Sequence, residues 1–99
     1  MAILHTLNKH SDHPAFNNCL RCCRADGGIF LLENGVYAVR DSAENLRRWQ
    51  ACQSDKIYAR KVDVEARGLT QGLMANVTLA DEARFVELCL EFDSVVSWF

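Results

Sequence analysis

Two rhythms of apolar residues alternate along this chain: short continuous runs, and runs whose members recur three and four positions apart. The first run, Ala2-Ile3-Leu4-His5-Thr6-Leu7, predicts a buried strand. Polar residues from Asn8 to His13 predict a loop. In it Ser11 or Asp12 is placed to cap a helix whose first turn takes Pro14, where a missing N–H costs nothing. Phe16, Cys19, Leu20 and Cys23 then fall at i, i+3, i+4 and i+7, one apolar stripe on that helix. Asp26-Gly27-Gly28 is expected to stop it. Ile29-Phe30-Leu31-Leu32 is unbroken, as a central parallel strand covered on both faces requires, and Glu33-Asn34-Gly35 is expected to turn the chain.

A second helix is predicted from an Asp41 or Ser42 cap to about Ala51. Its stripe is thin (Ala43, Leu46 and, near the end, Trp49), which marks a surface helix. Lys56 to Arg60 predicts the third strand. Asp63 is placed to cap a helical turn through Val64 and Ala66, Gly68 to end it in the left-handed region, and Leu69 to fold back onto it. Val77-Thr78-Leu79 predicts a fourth strand, and Asp81 caps a helix with Phe85, Leu88, Cys89 and Phe92 on one stripe. Val95 to Phe99 predicts a fifth strand. Alternating strands and helices of this kind predict an α/β fold: a doubly wound, mostly parallel sheet of about five strands, helices on both faces.

Composition narrows the picture without changing it. A chain of 99 residues is expected to form a single domain, residues 1–99. At 49% hydrophobic and 24% charged it is globular, and so high an apolar share in so short a chain suggests surface kept for partners. A formal net charge of -2, with basic residues paired only at Arg47-Arg48 and Arg60-Lys61, argues against direct nucleic-acid binding. No apolar run approaches the roughly 20 residues that span a bilayer, and Met1 to His5 does not resemble the start of a signal peptide. Five cysteines, an odd number, favour reduced thiols and a cytoplasmic location over a disulfide framework.

The candidate chemistry lies in Cys19-Leu20-Arg21-Cys22-Cys23. Arg21 is a cation suited to lowering a thiol pKa, but the cluster sits a turn or more into its helix, where the dipole contributes only in part. Cys19 and Cys22 have C-x-x-C spacing without the helix-start position of redox motifs. Zinc lacks a second ligand pair, since His10 and His13 stand alone in a loop. Cys23 and Cys89 lie on apolar stripes and read as small core hydrophobes, Cys22 sits at a stripe edge, and Cys52 reads as exposed or partly packed. Cys19, a turn nearer the helix start, reads as the thiol best able to reach a sheet-edge cleft, with inert packing as the alternative. His5 falls near the carboxyl end of the first strand, where open α/β sheets place ligand crevices, and reads as a structural histidine or a site residue. No nucleotide, metalloprotease or hydrolase motif occurs, so no cofactor or metal is expected and a stand-alone enzyme is the least supported class.

Four segments in order resemble the TusB/DsrH family: Ile3 to Lys9; Phe30 to Ala38 with its Leu32-Glu33-Asn34-Gly35-Val36 centre; Ile57-Tyr58-Ala59 with Asp63-Val64-Glu65-Ala66-Arg67-Gly68-Leu69; and Asp81, Phe85-Val86, Leu88 and Trp98. Glu82 departs from the pattern, which often has an aromatic residue directly after the aspartate. The resemblance implies a DsrE-like fold and a heterohexamer with homologous TusC/DsrF-like and TusD/DsrE-like subunits. It implies persulfide sulfur passing from a TusA-like donor toward a TusE/DsrC-like acceptor. The pathway implied is 2-thiolation of the tRNA wobble uridine or, as an alternative, dissimilatory sulfur oxidation. DsrH-type chains carry a cysteine in the first helix, about where Cys19 stands, and TusB-type chains can lack one. Cys19 is therefore the candidate persulfide carrier, while Cys22 and Cys23 match nothing in the family. A structural scaffold with inert thiols is the remaining reading.

Overall fold

The computed structural model describes residues 1–99. Its strands are Ile3–Leu7 (β1), Gly28–Leu31 (β2), Ile57–Arg60 (β3), Val77–Ala80 (β4) and Ser94–Trp98 (β5). Between them run helices Pro14–Cys22 (α1), Ala43–Trp49 (α2), Lys61–Ala66 (α3) and Glu82–Glu91 (α4), and a 3-10 helix over Glu33–Val39. The strands form one sheet in the order β4-β3-β2-β1-β5, and every pair is parallel. The chain steps outward from β1 to β4, then returns through α4 to the far side of β1. That reversal makes the sheet doubly wound.

Strand alternation divides the core in two. Leu7, Ile29, Leu31, Ile57 and Ala59 pack with Phe16 and Leu20 of α1, Val36 and Val39 of the 3-10 helix, Trp49 of α2 and Val64 of α3. On the opposite face Leu4, Phe30 and Ala80 pack against buried Leu88 of α4, with half-buried Phe85, Cys89 and Phe92 around them. A helix is about 10 Å wide, whereas five strands at about 4.8 Å spacing span roughly 19 Å. One helix therefore covers about half of that face, and Val95 of β5 is left exposed.

Several local expectations need correction. His13, not Ser11 or Asp12, caps α1, its Nδ1 accepting the Ala15 N–H at 3.1 Å. The helix ends at Cys22, before the glycines, and Gly28 belongs to β2. A Cβ on Gly28 would lie 2.8 Å from the Phe92 ring, so this glycine makes room for α4. The expected turn at Glu33 instead opens the 3-10 helix. A Cβ at Gly35 would lie 2.5 Å from the Leu7 carbonyl oxygen, so glycine lets the helix cross the end of β1. Ser42 does cap α2, accepting the Asn45 N–H at 3.1 Å, but Leu46 is exposed. The helix is held instead by buried Asn45, donating to the Tyr37 and Arg40 carbonyls, and by Trp49, whose Nε1 donates to the Ala38 carbonyl at 2.9 Å.

Asp63 is not a cap. It lies inside α3 and accepts the Glu33 N–H at 2.8 Å, while Arg67 pairs with it at 3.5 Å and donates to Asn34 Oδ1. Glu33 has φ 51°, a left-handed conformation that costs a non-glycine residue energy, and the Asp63 contact holds it. Gly68 at φ 66° ends α3 as expected, and Leu69 folds back with its N–H on the Val64 carbonyl.

Candidate functional site

The stripe that holds α1 against the sheet decides the fate of its thiols. Cys19 lies on it and is 0% exposed, and burial pushes its pKa up to about 12. The expectation that Cys19 reaches a sheet-edge cleft is thus corrected for the folded chain: a stripe residue is by geometry the one turned inward. Cys22, a turn onward at the stripe edge, is exposed.

Cys22 lines a cavity of about 280 Å³ with Met1, Ile3, His5, Arg24, Asp26 and Gly27. His5 is buried, and desolvation lowers its pKa below 6.5, which favours the neutral ring. Its Nδ1 accepts the Trp98 Nε1–H at 3.0 Å, so the ring proton sits on Nε2 and remains available as a donor. The cavity opens beside Met1 and Asp26, by the amino ends of the strands, and not at the carboxyl ends where a crevice was expected. Cys22, His5 and Arg24 line it together with the Asp26 carboxylate.

A second thiol group lies just past the end of α1. Cys23, buried just past the helix end, donates to the Arg24 carbonyl at 3.6 Å. Cys52 follows α2 and is half-buried. The neighbouring Cys23 thiol and the Ser54 backbone N–H stabilise its thiolate and lower its pKa to about 7. Cys23 shifts the other way, held protonated by the neighbouring Cys52 and by burial. Cys19 also faces Cys52 closely enough to feel its charge. Sequence spacing gave no sign of this grouping, since Cys52 reaches α1 only through the packing of α2. Cys89 is half-buried in the smaller cluster, less enclosed than a core residue was expected to be.

The histidines of the first loop do not converge. His10 Nδ1 lies 3.1 Å from Asp12, His13 is occupied as the cap, and no three His, Cys, Asp or Glu side chains are grouped to hold a metal ion. Packing also gathers basic residues that looked scattered: Arg21 of α1 joins Arg47 and Arg48 of α2 around an open groove of about 410 Å³. No helix is long and apolar enough to cross a membrane.

An all-parallel five-stranded sheet flanked by helices defines a small α/β protein with one exposed thiol, Cys22, at the end of its first helix. The chain belongs to the TusB/DsrH family: the family described as DsrH-like protein matches residues 10–95. It is 31% identical over 96 residues to Protein TusB of Pectobacterium parmentieri, covering 97% of this chain and 100% of that one. Protein TusB of Escherichia coli K12 is likewise 31% identical over the same coverage. The solution structure of protein Tm0979 from Thermotoga maritima superposes with a TM-score of 0.66 at 26% identity, covering 92% of this chain and 93% of that one. The ychN protein of E. coli, 16% identical over 98% of each chain, shares the fold with a TM-score of 0.71. Family membership supports a role as a sulfur-relay subunit.

Proposed function

We propose that this chain is a TusB-like, cytoplasmic, single-domain subunit of a relay that moves persulfide sulfur toward 2-thiolation of the tRNA wobble uridine. The observation that carries this reading is similarity to TusB proteins along nearly the whole chain. Its partners would be TusC/DsrF-like and TusD/DsrE-like subunits in a heterohexamer, with a TusA-like donor and a TusE/DsrC-like acceptor docking on the complex. Exposed Val86 and Leu90, one turn apart on the outer side of α4, support a subunit role because they offer apolar area that the isolated fold leaves in water.

In such a relay the acceptor thiolate attacks the outer sulfur of a donor persulfide, the S–S bond breaks, and the donor leaves as a thiolate. Cys19 is the candidate carrier on this chain. Burial pushes its pKa up to about 12, which keeps the thiol protonated at pH 7. Its use therefore requires α1 to lift from the sheet or a partner to open it, whereas Cys22 is accessible as the fold stands. A cysteine in the first helix also favours the second reading, a DsrH-like subunit in dissimilatory sulfur oxidation.

Mass spectrometry of the complex after exposure to a persulfide-loaded donor tests the carrier. Trypsin separates Cys19, on the peptide ending at Arg21, from Cys22-Cys23-Arg24. An added sulfur atom on the former supports Cys19. Sulfur confined to the latter moves the role to Cys22, and none on either leaves the chain as a scaffold with inert thiols.

A further inference from the structure

We propose that the groove between α1 and α2 docks an acidic segment of a partner protein, its carboxylates paired with Arg21 and Arg47. The groove has a volume of about 410 Å³, and three of the six residues that line it are arginines. Glu44 is its one carboxylate, and Arg48 Nη2 takes it at 3.1 Å. Arg21 and Arg47 thus have no carboxylate within the groove. A chain with a net charge of -2 here gathers two unneutralised cations on one surface.

The arginines are held unequally. Arg48 is fixed: its side chain is 17% exposed, and its Nη1 donates at 2.7 Å to Oδ1 of Asn45, the buried residue that anchors α2 to the Tyr37 and Arg40 carbonyls. Arg21 is steadied from its own helix, donating to Asn18 Oδ1 at 2.6 Å. Arg47 is exposed. A cation in the last turn of a helix is favourable, and this accounts for each arginine singly. It does not account for α1 and α2 bringing theirs to one groove, where like charges repel and an anion relieves them.

Shape and charge select the anion. The groove is open and Ala51 is its one apolar residue, so a free small ion would keep most of its surface in water, whereas a small-molecule pocket encloses its ligand. A nucleic-acid strand would run beyond the groove onto a chain whose net charge is negative. Carboxylates on a partner's surface meet both limits, since the partner brings further contact area with it and each guanidinium offers a fork of donors to a carboxylate. Exposed Cys22 follows Arg21 and half-buried Cys52 follows Ala51, so the docking face adjoins two of the chain's thiols. Docking there does not depend on either thiol carrying sulfur.

The test titrates the intact, isotope-labelled chain by NMR with a polyglutamate peptide at low salt. No persulfide donor or homologous subunit is present, so a failure here leaves the relay reading untouched. Saturable shifts are expected at the amides of Arg21, Arg47 and Arg48, and raising the salt should abolish them. Arg47→Gln should weaken binding about threefold, and Arg21→Gln combined with Arg47→Gln about tenfold. Both side chains are exposed, so these variants keep the wild-type fold, which their spectra away from the groove check. Shifts that fail to saturate, that map to another surface, or that persist in the double variant at wild-type affinity overturn the proposal. Inorganic phosphate and a polyuridine oligonucleotide are titrated alongside. Phosphate binding the groove as tightly as the peptide makes it a site for small ions, and polyuridine binding it more tightly makes it a nucleic-acid site; either result overturns the acidic-protein assignment.

Discussion

At the scale of single residues, His5 shows how a buried polar group is made tolerable and what it costs. Its Nδ1 has a partner in Trp98, and Trp98→Phe would remove the donor while keeping a smaller aromatic ring in its place. An unpaired buried acceptor costs about 1–3 kcal/mol, so chemical denaturation should show a loss of that size. An unchanged midpoint would mean that the bond contributes nothing. The lowered pKa also gives a pH dependence. Below pH 6.5 the unfolded chain binds a proton on this histidine that the folded chain resists, so stability falls as pH falls, down to the folded pKa. His5→Gln should flatten the stability profile just below pH 6.5. A slope equal to wild type would assign the effect to another group. The sequence placed His5 in a strand and left its role open. Its partner, 93 residues away, became visible only when β5 was laid beside β1.

At the scale of elements, the segments that looked separate in sequence meet. Gly35 passes the end of β1, Asp63 holds the Glu33 N–H, and Arg67 clasps Asn34, so the 3-10 helix and α3 are tied to each other and to the sheet. Asp63→Ala removes a hydrogen bond to a charged group that restrains a left-handed residue. The expected loss is about 1.5–3 kcal/mol, or a melting temperature lower by several degrees. A shift within about 0.5 kcal/mol of zero would mean that Glu33 holds its conformation unaided.

Periodicity revealed the strands and the α1 and α4 stripes, because burial on one face leaves a repeating mark in sequence. It misread α2, where a buried Asn45 anchors the helix and the apolar Leu46 faces water. It also misread Asp63, since an aspartate near a helix start looks the same whether it caps its own helix or holds a distant N–H. The thiol site divides along the same line. The outline of the Cys19-to-Cys23 cluster was legible. Which thiol faces the cavity and which lies near Cys52 depended on how α1 and α2 pack.

At the scale of the whole molecule, the sheet is covered unequally, and apolar Val62, Val86 and Leu90 remain exposed on α3 and α4. Leu90→Lys should leave the isolated chain's melting temperature within about 2 °C of wild type, because the side chain is 82% exposed. It should weaken assembly with the homologous subunits, read by size-exclusion chromatography of the co-expressed set. Assembly as tight as wild type would place the interface elsewhere.

The sulfur-relay role is tested most directly by following labelled sulfur from a loaded TusA-like donor to a TusE-like acceptor, with the assembled complex present and then with this chain left out. The expected result is transfer that depends on the chain and returns when it is added back. Transfer at the same rate by the two homologous subunits alone would contradict it.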